Sequence, residues 1–108
     1  MKPSTILLLL LLAAHNAHGD TITAYCACPK CCGPNAKGIT ASGKKVAVGM
    51  VAGPRRIPLG TKVLIGGNPY TVEDRTAKRY DGRWDIYFES HKAALIWGKQ
   101  EKDVVIIK

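Results

Sequence analysis

Residues 72 to 88 read VEDRTAKRYDGRWDIYF, and this stretch holds Glu73, Asp74, Asp81 and Asp85. The whole chain has only eight acidic residues, so half of them fall within these few positions. Two carboxyl groups on one groove can divide the work of general acid and base, the chemistry that breaks glycosidic bonds. The plain alternative is a solvated loop whose acids offset the neighbouring arginines. Strand alternation separates the two readings. In Trp84-Asp85-Ile86-Tyr87-Phe88, Trp84, Ile86 and Phe88 share one face, and Asp85 shares the other with Tyr87. A charge inside an apolar strand is costly unless its face opens on solvent or a cleft. Asp74 ends the preceding strand, so neighbouring strands would aim Asp74 and Asp85 into one groove. Asp81, in the loop between them, reads as a surface acid.

The elements that must position this pair are short. Residues 1 to 19 carry a positive start, an apolar run from Ile6 to Ala14, and small residues at Ala17 and Gly19. That is the pattern of a cleaved signal peptide; the run is too short for a bilayer span, and no stable membrane anchor is expected. Residues 20 to 108 then form one domain, with a secreted or periplasmic location. Without Lys2 that domain has fifteen basic and eight acidic side chains, a formal charge near +7. Such a domain suits anionic polymers. Nucleic acid is not expected as a partner, because export and the lack of any recognition-helix or base-stacking motif both argue against it.

Strands are expected at 21–25, within 45–52, within 57–65, at 70–73, at 84–88 and at 103–107, with a strong turn at 66–69. Ser90 can cap a short helix that Gly98 ends. Six short strands and one helix in so few residues imply an all-β fold, a small barrel. Trp97 is read as a core residue, and His91 as a surface residue of the helix.

All four cysteines, Cys26, Cys28, Cys31 and Cys32, lie within YCACPKCC. In an oxidising compartment disulfides are the default, either Cys26–Cys31 with Cys28–Cys32 or Cys26–Cys32 with Cys28–Cys31. The alternatives are a structural zinc site, for which a second cysteine cluster is absent, and free thiols. The reading adopted is disulfide pairing, with no metal-ligating residue.

Six segments in order resemble a known family. TAYC at 23–26, TASG at 40–43, IPLGTKVLI at 57–65, VEDR at 72–75, WDIYF at 84–88 and the helix ending in Trp97-Gly98 look like the three-aspartate domain of bacterial cell-wall proteins. The resemblance implies a double-psi β-barrel related to membrane-bound lytic transglycosylase A. It also implies cleavage of the bond between N-acetylmuramic acid and N-acetylglucosamine in peptidoglycan, with a 1,6-anhydro product and no metal or organic cofactor. Asp85 matches the family's catalytic acid and Asp74 its partner. Thr40 and Ser42 match the motif lining the cleft, and Tyr87 and Arg83 are expected to contact the glycan. The chain departs from the pattern at Gly53, where the family often has aspartate, and at Thr76-Ala77, where it has a glycine pair. The expected partner is a peptidoglycan strand bound by a monomer; the alternative reading is a non-catalytic wall-binding or expansin-like module on the same barrel.

Overall fold

A computed structural model describes residues 19–32 and 37–107. The expected signal peptide lies outside the described residues, apart from Gly19. Among the described residues no helix is long and apolar enough to cross a membrane.

Seven strands form one sheet: β1 Asp20–Tyr25, β2 Met50–Gly53, β3 Lys62–Ile65, β4 Asn68–Arg75, β5 Trp84–Tyr87, β6 Gln100–Lys102 and β7 Val104–Ile107. Their spatial order is β6-β1-β5-β2-β4-β3-β7. The two edge strands, β6 and β7, are therefore consecutive in the chain and separated only by Asp103. A one-residue link cannot span an open sheet, so the sheet must curl until its edges meet. The result is a nearly closed barrel, which fits the expected all-β barrel. Its strand count is seven rather than six. The extra strand is β6, whose Gln-Glu-Lys sequence has no apolar alternation and finds its partner only in β1.

Pairing is parallel for β1 with β5 and for β2 with β4, and antiparallel elsewhere. The β3–β4 hairpin turns on Gly66 and Gly67, with φ of 57° and 87°. Two successive left-handed residues make the primed turn whose twist matches its strands. Asn68 and Pro69, expected in the turn, already belong to β4. The 45–52 segment contributes only β2 at its end; Lys45 makes an isolated bridge to Ile39.

Ile22, Val51, Ile57, Val63, Ile65, Val72, Trp84 and Ile86 fill the barrel. Alternation along β5 puts Trp84 and Ile86 inward, as expected, and Trp84 Nε1 donates to the Asp20 carboxylate at 2.9 Å. Gly53 faces the same packing. A Cβ there would stand 3.0 Å from the Trp84 ring and 3.2 Å from a Val72 methyl. The position where the resembled family often carries aspartate is thus closed by the indole.

Two short α-helices and a 3-10 turn at Lys78–Tyr80 complete the fold among the described residues. α1 is a single turn, Pro29–Cys32, and α2 spans His91–Trp97. Ser90 Oγ accepts from the Ala93 amide at 3.0 Å, and Gly98 leaves α2 with φ 68°. Trp97 packs against the core and donates its indole N–H to the Ile22 carbonyl at 3.1 Å, which ties α2 to β1.

Candidate functional site

Register across the sheet builds the site. Thr23 on β1 pairs with Asp85 on β5, Asp85 with Ala52 on β2, and Ala52 with Asp74 on β4. Residues opposite one another on adjacent strands project from the same face, so Thr23, Asp85, Ala52 and Asp74 form a row. The two aspartates are two strand spacings apart at the backbone, about 10 Å. Ala52 stands between them in this row.

This alignment depends on a bulge. The β2–β4 register runs from Val51↔Val72 to Ala52↔Asp74, so Glu73 is an extra residue without a partner on β2. Without it Ala52 would face Glu73, and Asp74 would project from the opposite side. Val72 and Glu73 are accordingly buried in succession. Glu73 binds Lys44 Nζ at 3.0 Å, and its carboxyl is held below the usual range first by that hydrogen bond. It is a structural acid, separate from the row.

Asp85 is half-buried and accepts a hydrogen bond from Thr23 Oγ1 at 3.0 Å. Burial raises its pKa from 3.8 to about 6; the Thr23 hydrogen bond opposes the rise and the charge of Asp74 adds to it. Removing a carboxylate from water disfavours its anion, and one hydroxyl does not restore the lost hydration. Asp74 is differently placed. Its Oδ2 accepts from the Tyr25 hydroxyl at 3.2 Å, and its Oδ1 from the amides of Ala41 at 3.0 Å and Arg75 at 2.9 Å. Tyr25 stays a phenol donor, because burial and then Asp74 push its pKa far above the ordinary value. The Tyr25 ring also meets Tyr87 edge-on, with centroids 5.6 Å apart.

A groove of about 510 Å³ runs over this row. Thr23, Tyr25, Ala52, Asp74 and Asp85 line it, with Arg75, Arg79, Arg83 and Tyr80 along one side. The guanidinium groups of Arg79 and Arg83 both lie over the Tyr80 ring, at 4.8 and 4.7 Å. A basic and aromatic wall beside two acids can hold a polar, ring-built ligand through stacking and charge.

The residues expected to bind ligand divide. Arg83 lines the groove, whereas Tyr87 lies one layer back against Tyr25. Thr40 and Ser42 bond to each other at 2.9 Å, and Thr40 is buried. The Ser42 amide donates to the Glu73 carbonyl at 3.0 Å. The Thr40 hydroxyl is held within its own turn, Ser42 also helps to hold the Glu73 carboxylate, and the segment reaches Asp74 through the Ala41 amide. Asp81, expected to be a plain surface acid, is exposed but accepts from the Arg55 amide at 2.8 Å and so anchors its loop. Thr23 and Tyr25 were legible only as part of TAYC; alternation along β1 places both on the Asp85 face.

The cysteines correct the disulfide expectation. None of the four is joined in a disulfide. The α1 turn, closed by the amides of Cys31 and Cys32 on the Cys28 carbonyl, directs Cys31 inward and leaves Cys32 exposed. Cys32 donates to the Cys26 carbonyl at 3.2 Å. Both expected pairings need Cys32 to bond to another sulfur, and its contact is instead with that backbone carbonyl. His91, expected on the surface, instead turns Nδ1 toward Cys26, Cys28 and Cys31 at 3.6, 3.5 and 3.3 Å.

No family model matches the chain. A protein of Bacillus subtilis (strain 168) that carries the name of a cell wall shaping protein, YabE, is 31% identical over 87 residues. The match covers 79% of this chain and 21% of that protein, so the chain spans about a fifth of the relative's length.

Proposed function

We propose that the groove is the active site of a peptidoglycan lytic transglycosylase, cutting between N-acetylmuramic acid and N-acetylglucosamine with formation of a 1,6-anhydro ring. One observation carries the reading. Two carboxyl groups share one face across Ala52, and their surroundings differ: Asp85 is desolvated with a pKa near 6, while Asp74 is the acceptor of three donors. Carboxyls set apart by environment are the pattern of an acid and its charged partner. The name of the Bacillus subtilis relative agrees with a cell-wall role. The expected exported location does as well.

In this reading protonated Asp85 donates to the glycosidic oxygen, and the bond to the muramic acid anomeric carbon breaks. Positive charge gathers on the sugar ring, and Asp74 provides the nearby negative charge. Asp85, now a carboxylate, accepts the proton of the muramic acid 6-hydroxyl as that oxygen closes on the anomeric carbon. The proton count balances, and Asp85 returns to its neutral form after the anhydro ring and the freed 4-hydroxyl of N-acetylglucosamine have replaced the glycosidic bond. Thr23 orients the Asp85 carboxyl, and Tyr25 with the Ala41 amide fixes Asp74. The arginine and Tyr80 wall supports binding to the glycan and its peptide carboxylates.

The same basic wall favours a second reading, a wall-binding module without turnover. Purified peptidoglycan incubated with the parent and with Asp85→Asn separates the two. The enzymatic reading expects anhydro-muropeptides from the parent and at least about a hundredfold fewer from the variant, with binding retained. Equal binding with no product from either chain would establish the module instead.

A further inference from the structure

We propose that Cys26, Cys28, Cys31 and His91 form a structural zinc site that clamps the end of β1 to the first turn of α2. The site stands independently of the enzymatic reading. Its basis is that three sulfurs and one imidazole nitrogen converge from two distant parts of the chain. All four ligand atoms lie within 4.8 Å of one another.

The distances suit a tetrahedral ion. With about 2.3 Å to sulfur and 2.0–2.1 Å to nitrogen, the sulfur–nitrogen edges of a zinc tetrahedron are about 3.6 Å. His91 Nδ1 stands 3.6, 3.5 and 3.3 Å from the three sulfurs, so it already occupies the fourth corner. Sulfur–sulfur edges would be about 3.8 Å. Cys26 lies 2.6 Å from Cys28 and 3.3 Å from Cys31, so binding would spread the first of these edges by about 1.2 Å and the second by about 0.5 Å.

The near-equal distances also bear on the competing roles. A thiol nucleophile needs one sulfur singled out by its base, whereas here three are equivalent around the same nitrogen. A disulfide would use two sulfurs and leave the third and the imidazole without purpose. Three thiolates and one imidazole are a closed zinc set, with no position left for water or substrate. The ion would therefore be structural. Its binding would release protons from the cysteine ligands.

Position gives the clamp its effect. Cys26 directly follows Tyr25, whose hydroxyl holds Asp74, and Cys31 lines the groove. His91 begins α2, already fixed by the Ser90 cap. Joining residues 26 and 91 closes a long loop and would stiffen the wall of the groove nearest Tyr25.

The test uses the mature chain prepared under reducing conditions, with metal content measured per chain and Co²⁺ as a spectroscopic probe. Expected are one tightly held zinc per chain and, with cobalt, the strong visible bands and thiolate charge-transfer absorption of a tetrahedral site. Chelation should lower the melting temperature by at least about 5 °C, because an ion bound only by the folded chain stabilises it. Cys32→Ser should retain the metal, and Cys28→Ser and His91→Ala should each weaken binding at least about tenfold, in line with loss of one ligand. His91→Cys should restore binding with a cobalt spectrum shifted toward four sulfurs, which covers the case in which His91→Ala fails to fold. Four freely titrating thiols in zinc-supplemented protein, disulfides by intact mass, or a site that needs Cys32 and ignores His91 would each overturn the proposal.

Discussion

Replacing Asp85 by asparagine should make the folded domain more stable at neutral pH while removing the proposed glycosidic activity. Asp85 has a folded pKa near 6 against 3.8 for the free group, chiefly because it is buried. A carboxyl whose pKa is raised by folding imposes no penalty below the unfolded value, where both states are protonated. As pH rises from about 4 to about 6 the unfolded chain loses its proton while the folded chain keeps it, and stability falls across that window. The rise from 3.8 to about 6 corresponds to roughly 3 kcal/mol. Asparagine has nearly the same shape, keeps an oxygen to accept from Thr23, and does not ionise. Its amide still has to be buried, so the net gain at pH 7 should be about 1–3 kcal/mol. For a domain of this size that is a rise of at least about 5 °C in melting temperature. Thermal melts of both chains from about pH 3 to about pH 8 measure it. The curves should converge near the low end of that range, diverge up to about pH 6 and run parallel above. A variant that is less stable at pH 7, or a difference that does not change with pH, would refute the burial argument for Asp85.

Thr23→Val removes the hydrogen bond that favours the Asp85 anion, so the pKa of Asp85 should rise further, and the alkaline limb of the activity profile should move to higher pH. An unmoved limb would show that Asp85 is not the titrating acid. Gly53→Asp, which restores the aspartate often found in the resembled family, should destabilise by about 1–3 kcal/mol and add no activity, since its Cβ meets Trp84 at 3.0 Å. Denaturant melts together with turnover measure both effects. Asp81→Asn keeps the acceptor for the Arg55 amide at this exposed loop, so stability should change by no more than about 0.5 kcal/mol and turnover should hold. The same melts and turnover assay check it.

Much of this arrangement is legible in the sequence, because it follows from local periodicity. The alternation of Trp84 to Phe88 separates the inward indole and Ile86 from the outward Asp85. The Ser90 cap and Gly98 bound α2 as their side chain and backbone chemistry require. Gly66-Gly67 marks the hairpin. What is hidden depends on contacts that no window contains. β6 is polar throughout and exists because β1 pairs with it. The Glu73 bulge is set by the register between β2 and β4, and only the register reveals that Asp74 joins the row and Glu73 leaves it. His91 lies sixty-five residues from Cys26, and the docking of α2 against β1 brings them together. Thr40 and Ser42 resemble a ligand-binding motif by type, yet their hydroxyls bond to each other and the motif reaches the site through its backbone.

In the proposed reaction Asp85 is an acid that afterwards accepts the proton of a sugar hydroxyl rather than of water. Digestion of purified peptidoglycan in water enriched in heavy oxygen, followed by mass spectrometry of the released muropeptides, tests it most directly. The expected products end in 1,6-anhydro-muramic acid with no heavy oxygen incorporated at the cut, and they are lost in Asp85→Asn. Reducing ends that carry heavy oxygen, or anhydro products formed as readily by Asp85→Asn, would contradict it.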